Sequence, residues 1–238
     1  YLGKINDNSV AFIFIVVGVY AFNYYRQLFL EKTRIAELNR TLAETKLEQL
    51  KTQLQPHFLF NTLNTITALI HTDPEKADLV TTKLSDFLRT SLAKEHQQMT
   101  RLDEEIDLLK KYLEIQQVRF EDRLTISFEI PQDTKSALVP YLILQPLAEN
   151  AVKHGISKQS GDGKIEIISK IDGDTLVLTV RNSNAQLDDS FSIEQHAQIG
   201  LKNTVERLQY IYQQNASFTI LNNNNSVEAV ITIPYQNR

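Results

Sequence analysis

The first apolar pattern in the chain is an almost unbroken run from residue 10 to residue 25 (VAFIFIVVGVYAFNYY). A helix needs about 20 apolar residues to cross a bilayer core, and the tyrosines that close the run suit a membrane interface. A buried core helix or a signal-peptide core is the alternative, but no small-residue cleavage site follows. Four basic residues occupy positions 26–40, whereas Lys4 alone precedes the run. The pattern therefore predicts a membrane span with the C-terminal side in the cytoplasm.

The next pattern, over residues 27–55, mixes charges with spaced leucines and contains neither Gly nor Pro. Such a stretch predicts a long helix. Its spacing gives short coiled-coil segments in two registers, with a break between Leu42 and Leu47. Our interpretation is a parallel dimeric coiled coil with a stutter, and a solitary surface helix is the alternative.

A proline marks the start of a different helical pattern. Pro56 interrupts the preceding helix because its ring collides with the carbonyl four residues back. The apolar stripe that follows consists of Leu59, Leu63, Ile66 and Ile70. Helical geometry leaves His57, Asn61 and Asn64 together on the opposite side.

Two further helical patterns follow. Asp73 and Pro74 predict a helix start, with a carboxylate cap and a proline at the first helical position. Another run with helical spacing extends from residue 102 to residue 120. One hairpin cannot bury the stripes of the first two helices well, so we expect a four-helix bundle formed by a homodimer.

From residue 124 the pattern changes to the alternation typical of strands. Alternating segments cover residues 125–130, 164–171, 174–181, 216–221 and 226–234, with a turn at Asp172-Gly173. Helices are expected over residues 140–155 and from Gly200 to about Tyr212. Strands interspersed with helices predict an α+β fold whose last domain is a two-layer α/β sandwich with a mixed sheet.

These patterns divide the chain into four parts. We expect a membrane-proximal segment with a transmembrane helix at 1–26 and a coiled-coil linker at 27–55. A helical dimerisation domain follows at 56–121, and the sandwich domain covers 122–238.

Composition excludes some kinds of chemistry. The formal charge is -4 and no dense block of Lys or Arg is present, which argues against a nucleic-acid partner held by phosphate contacts. The absence of Cys excludes disulfides and thiolate metal sites. Five His residues remain as candidate chemistry.

One of these histidines lies in the segment QPHFLFN at residues 55–61. About three quarters of an unperturbed imidazole is neutral at pH 7, and the neutral form is a good nitrogen nucleophile. His57 faces away from the apolar stripe, beside a proline that exposes it. A nucleophilic role and a capping or core role both remain open from the residues alone.

A second candidate cluster lies in the segment LQPLAENAVKHG at residues 144–155. On a helix, Asn150, Lys153 and His154 share a face, which brings together an amide oxygen, an ammonium and an imidazole. Such a set suits a metal ion held between phosphates, although Lys and His on a wet helix face are the alternative. Gly155 is expected to let the chain leave the helix at positive φ. Farther along, a helix that starts near Gly200 offers free N–H groups to an anion.

Several segments together resemble the LytS-like sensor histidine kinases. The resemblance covers residue 47 to the C-terminus and includes QPHFLFN, LSDFLRTSL, MTRLDEEIDLLKKYLEIQQVRF, VPYLILQPLAENAVKHGI and GLKNTVERL in family order. It implies an ATP-binding domain of the gyrase, chaperone and MutL type, with ATP and Mg²⁺ as cofactors. It also implies a homodimer at the bacterial inner (plasma) membrane, with a cytoplasmic response regulator as partner.

The resemblance assigns roles to individual residues. His57 would be the phosphoacceptor, and Asn61 would position water for dephosphorylation. Asn150 would be a magnesium ligand, and Lys153 and His154 would neighbour the phosphates. The lid end near the phosphates would include Gly200, Leu201 and Asn203.

The chain departs from the family pattern at the nucleotide site. Many relatives have Asp-Asn-Gly, whose Asp accepts a hydrogen bond from the adenine amino group, where this chain has Asn182-Ser183-Asn184. An Asn oxygen still accepts that bond, but without charge assistance. The usual Gly-x-Gly of the lid is Gln198-Ile199-Gly200.

Three functions follow from this resemblance and its departures. The first is a kinase that autophosphorylates on His57 and passes the phosphoryl group to an aspartate of a response regulator. The second is a degenerate kinase that acts as a membrane-anchored scaffold or a response-regulator phosphatase. The third is a non-kinase ATPase, which is disfavoured because Pro146 occupies the place of the water-activating Glu in such ATPases.

Overall fold

A computed structural model provides the structure of the chain. It describes residues 12, 16–17, 19–28, 30–32, 34, 56–93, 97–156, 162–183, 199–223 and 226–237, with the backbone alone for 56, 57 and 199. The chain divides into two units, residues 1–60 and residues 61–238.

In the first unit, the described residues between 12 and 34 are helical and exposed. Within the described part of the chain, no helix is both long enough and apolar enough to cross a membrane. The span predicted for residues 10–25 falls partly on residues outside the described set. The predicted coiled coil lies almost wholly outside it and stays a prediction.

Three long helices come next along the chain. Helix α1 is Pro56–Thr72, α2 is Pro74–Ala93 and α3 is Leu102–Phe120. Asp73 caps α2 as predicted, because its Oδ1 accepts the Lys76 N–H at 3.1 Å. One apolar face of α2 is buried through Ala77, Val80, Leu84 and Phe87.

Helices α2 and α3 pack against each other in opposite directions. Lys83 of α2 pairs with Glu114 of α3. Nearer the end of α2, Lys111 Nζ donates to Thr90 Oγ1 at 2.8 Å. Helix α1 instead leaves apolar side chains exposed, since Leu63 and Ile70 are each 51% exposed in the single chain.

A five-stranded mixed sheet forms the other layer. Its strands are β2 (Leu124–Glu129), β4 (Gly163–Asp172), β5 (Thr175–Ser183), β6 (Ser217–Asn223) and β7 (Ser226–Pro234), in the order β2-β4-β5-β7-β6. Strand β2 pairs parallel with β4, and the other neighbours are antiparallel. Every second residue of β5 and β7 is buried, so one face of the sheet points to the core. The predicted hairpin turn is present, with Gly173 at a φ of 59°.

Shorter elements complete the second unit. Strand β1 (Met99–Arg101) pairs antiparallel with β3 (Leu138–Pro140). Helix α4 is Gln145–Ala151 and continues into a π-helical turn, Val152–Ile156, and α5 is Ile199–Tyr212. The helix predicted from residue 140 therefore begins five residues later. Residues 138–140 pair with β1 instead, and Leu142 has a φ of 57°, which a right-handed helix does not allow.

The core lies between the helices and the inner face of the sheet. Fully buried side chains come from the helices and the loop before α4 (Leu109, Leu113, Leu144, Leu147) and from the strands (Ile165, Ile167, Leu176, Leu178, Ile231, Ile233). The predicted mixed α/β arrangement is thus confirmed. The dimeric four-helix bundle and the four domain boundaries stay predictions.

Candidate functional site

The site is built around the end of α4. Asn150 lies in the last turn of this helix and is half-buried, whereas Lys153 and His154 lie in the π-helical turn, exposed and half-buried respectively. A π-helical turn is wider than an α-helical turn, so the three side chains are spread differently from the single helical face predicted. They nevertheless remain within two consecutive turns of one another.

A close contact joins this turn to strand β5. Asn182 is buried, and its Nδ2 donates to the Ala151 carbonyl at 3.0 Å. A Cβ on Gly155 would overlap the Asn182 side chain. Gly155 is therefore needed for close packing. The positive φ predicted for it is wrong, because the π-helical turn continues through residue 156.

The same contact leaves one polar atom of Asn182 available. Its Oδ1 is buried and accepts no hydrogen bond from the described residues. A buried acceptor without a donor carries a desolvation cost, so it marks a place where a ligand or a water is expected to donate. The role of Asn182 in recognising the nucleotide base stays a prediction, in which this oxygen would be the acceptor.

A buried carboxyl group precedes Asn150 in α4. Glu149 Oε1 accepts a hydrogen bond from Gln145 Nε2 at 2.8 Å, while its Oε2 is buried and receives no donor from the described residues. Burial raises the pKa of Glu149 to about 8, against the opposing effect of the Gln145 bond. On α3, burial and the neighbouring Glu149 raise the pKa of Tyr112 well above its ordinary value.

The predicted lid end lies at the start of α5, a helix that contacts α4. Gly200 is half-buried, Leu201 is buried in the core and Asn203 is exposed. The hydroxyl of Thr204 donates to the Gly200 carbonyl at 2.9 Å, which steadies this first turn. Leu201 can thus offer only its backbone to a ligand. Residues 184–198, with most of the predicted lid, lie outside the described residues.

The predicted phosphoacceptor lies in the other unit. His57 is in the first turn of α1, and its side chain is outside the described set. Asn61 follows one helical turn later and is half-buried. Among the described residues, no group of three or more His, Cys, Asp or Glu side chains is placed to hold a metal ion. A metal at Asn150 would therefore take its other ligands mainly from phosphates and water.

Sequence reasoning missed three charged residues near the site: Glu105, Glu149 and Arg207. A signal was present for Glu105, because it lies on the same helix face as Leu102, Ile106 and Leu109, where a carboxylate is costly to bury. Glu149 and Arg207 have both apolar and polar neighbours along amphipathic helices, where most charged side chains are exposed, so the sequence did not distinguish them from surface residues.

Comparisons with known proteins identify the family. A family model described as Histidine kinase matches residues 45–124. Sensor protein LytS of Staphylococcus haemolyticus (strain JCSC1435) is 36% identical over 151 residues, which cover 63% of this chain and 26% of that protein. Sensor protein LytS of Staphylococcus saprophyticus subsp. saprophyticus is 31% identical over 205 residues, covering 82% of this chain and 35% of that protein. The chain therefore spans only about a quarter to a third of the length of these two relatives.

A solved structure also matches. The histidine kinase domain from the Erythrobacter litoralis EL346 blue-light activated histidine kinase aligns with a TM-score of 0.47 and 15% identity, covering 84% of this chain and 95% of that chain. The family model and the two relatives define the class as histidine kinases, and this chain belongs to the LytS-like sensor histidine kinase family.

Proposed function

We propose that this chain is a homodimeric histidine kinase that autophosphorylates on His57 from ATP and passes the phosphoryl group to an aspartate of a response regulator. The observation that carries the proposal is the buried Oδ1 of Asn182, which accepts no hydrogen bond from the described residues. The same side chain contacts Ala151, in the helix that bears Asn150. Placement at the bacterial inner membrane, with this part in the cytoplasm, belongs to the same proposal and rests on the residues around positions 10–25.

The residues present fit an adenine nucleotide. Asn182 Oδ1 would accept a hydrogen bond from the exocyclic amino group of adenine, because its own Nδ2 is already used by Ala151. Gly155 leaves the space that this arrangement needs. A base with only an acceptor at this position could not form a hydrogen bond with Oδ1, because both atoms would be acceptors. This contact therefore favours adenine.

The phosphate end would be held by the two turns around Asn150 and by the start of α5. The Asn150 amide oxygen is a ligand type that Mg²⁺ accepts, and the exposed Lys153 ammonium supplies positive charge beside it. Backbone N–H groups from Gly200 to Asn203 would bind phosphate oxygens. A bound magnesium ion would supply charge neutralisation between the phosphates.

The transfer itself needs a nucleophile other than water. Pro146 occupies the position where hydrolytic relatives of this ATPase type carry a Glu, so activated water is not provided. A neutral His57 nitrogen would form a bond to the γ-phosphorus while the bond to the bridging oxygen of ADP breaks. The ring then loses its N–H proton to solvent. In this scheme Asn61 would position water for dephosphorylation.

Labelling with ATP tests the proposal directly. Incubation with γ-labelled ATP and magnesium is expected to give acid-labile phosphate that is lost in His57→Ala. His71→Ala is the matched control, since His71 lies near the end of the same helix and is exposed. Robust labelling of His57→Ala would contradict the assignment of His57 as the phosphoacceptor.

A second candidate is a degenerate kinase that acts as a scaffold or as a phosphatase of the response regulator. The neutral Asn182 favours it, because the adenine contact lacks the charge assistance that the Asp of many relatives gives. Calorimetry distinguishes the two functions. Absence of ATP binding at millimolar concentration would favour the degenerate kinase, and saturable binding would favour the active one.

A further inference from the structure

A buried carboxylate of α3 holds the loop that leads into α4. Glu105 is 2% exposed, and its Oε2 accepts the Leu142 N–H at 2.8 Å while its Oε1 accepts the Leu144 N–H at 3.0 Å. Leu142 is in the left-handed region, which leucine adopts rarely. The two hydrogen bonds therefore hold a backbone shape that the loop would not keep by itself, immediately before the helix that bears Asn150.

The loop is also bound from α5. The Arg207 guanidinium donates to the Tyr141 carbonyl and attracts the Glu105 carboxylate electrostatically. Burial raises the pKa of Glu105, and the bonds from Leu144 and Leu142 and the charge of Arg207 oppose that rise. The buried Glu105 and the half-buried Arg207 thus attract each other across the loop. Because Arg207 lies on α5, whose first turn includes Gly200, the loop is connected to both segments that would bind phosphates.

The loop has a further contact with the helical region. The Tyr141 hydroxyl donates to the Ser91 carbonyl in the last turn of α2 at 2.8 Å. Strand β3, just before the loop, is paired with β1, which leads directly into α3. Three helices, α2, α3 and α5, therefore hold the segment 141–144, and any change in its shape changes where α4 starts.

We propose that Glu105 is a positioning residue for the phosphate end of the nucleotide site. It acts through the Leu142 and Leu144 N–H groups and with Arg207, and it sets the direction of α4 and hence of the Asn150 amide oxygen. The inference rests on the proposed function, because it assigns Asn150 to a magnesium ion between phosphates. Asn182 is held on β5 by strand pairing on both sides, so its contact with the base is expected to change less than the position of the Asn150 amide oxygen.

The substitution Glu105→Gln tests this role. Glutamine keeps one acceptor oxygen but turns an NH₂ group toward a backbone N–H, so one of the two loop bonds is lost and the charge facing Arg207 disappears. ATP affinity of the full chain is measured by calorimetry in EDTA and in saturating magnesium. The factor by which magnesium increases ATP affinity is expected to be about tenfold smaller in the variant than in the wild type. Loss of a residue that orients a metal ligand typically has an effect of this size. Affinity in EDTA is expected to stay close to the wild-type value.

Controls keep the result specific. Glu114→Gln removes a carboxylate from the exposed side of the same helix and is expected to keep the full effect of magnesium. If circular dichroism shows that Glu105→Gln is unfolded, Arg207→Lys replaces it, since lysine keeps the charge but not the planar guanidinium that contacts Tyr141. A folded variant with the wild-type response to magnesium overturns the inference.

Failure of the proposed function gives a different pattern. A wild-type chain that binds ATP with magnesium but leaves His57 unlabelled contradicts the kinase assignment, and the calorimetric comparison still decides the role of Glu105. A wild-type chain that binds no ATP in either condition overturns both.

Discussion

The free energy of unfolding of the wild-type protein should fall as pH rises, and the substitution Glu149→Gln should remove this fall. The carboxyl group receives one hydrogen bond, from Gln145, and its second oxygen is buried without a donor among the described residues. Burial consequently raises the pKa of Glu149 to about 8 from its ordinary value of 4.5. Glutamine has nearly the same shape, keeps an acceptor for Gln145 and has no proton to lose.

The sign follows from proton binding. Between pH 4.5 and about 8 the folded protein holds the Glu149 proton, whereas the unfolded chain has released it. The free energy of unfolding therefore falls as pH rises through this window, by up to about 1.4 kcal/mol for each pH unit. At about pH 7.5 the accumulated loss is roughly 4 kcal/mol, which is a large part of the stability of an ordinary domain.

Urea unfolding followed by circular dichroism measures this effect. The experiment uses wild type and Glu149→Gln at several values between about pH 5 and 8, without nucleotide or magnesium. The two proteins should have similar stability at the acid end, and the variant should become increasingly the more stable one toward neutral pH. Glu129→Gln, a substitution at an exposed position on β2, should follow the wild-type curve. Parallel curves for wild type and Glu149→Gln would refute the reasoning.

Two other predictions concern packing. Gly155→Ala places a methyl group against the Asn182 amide and should destabilise the protein by about 1 to 3 kcal/mol in thermal denaturation. Adding Asn182→Gly should recover part of that loss, and strictly additive effects would contradict the contact. Asparagine at Leu63 and Ile70, which are exposed in the single chain, should weaken dimerisation measured by sedimentation. His71→Asn on the same helix should leave dimerisation unchanged, and an unaffected dimer in the double asparagine variant would contradict burial of this stripe.

Periodicity was a good guide to the regular elements. The pattern over residues 102–120 coincides with the bounds of α3, and the alternating segments coincide closely with the five strands of the large sheet. These elements have one clear apolar face, which the sequence displays directly. Strands β1 and β3 have only three residues each, too few for alternation to be recognised.

The candidate site was predicted only in part, for a physical reason. The segment around Asn150 has an order of residues that is typical of the family, so its site residues could be predicted from the resemblance. Glu105 and Arg207 lie about 100 residues apart in the chain and act on a loop between them. Their roles come from tertiary contacts that bury Glu105 and partly bury Arg207. The local pattern places Glu105 on an apolar helix face but does not say which groups it binds.

The contact between Asn182 and Ala151 changes how the departure from the family's Asp should be interpreted. From the sequence, loss of the Asp suggested weaker recognition of adenine. In the structure, the Asn182 Nδ2 donates to the Ala151 carbonyl, which an ionised carboxylate cannot do because both groups are acceptors. Asparagine thus ties β5 to the end of α4 and keeps an oxygen that accepts no hydrogen bond from the described residues. Since Gly155 provides the space for this amide, the Asn and the Gly form a matched pair, and the departure at position 182 is not by itself a sign of a lost nucleotide site.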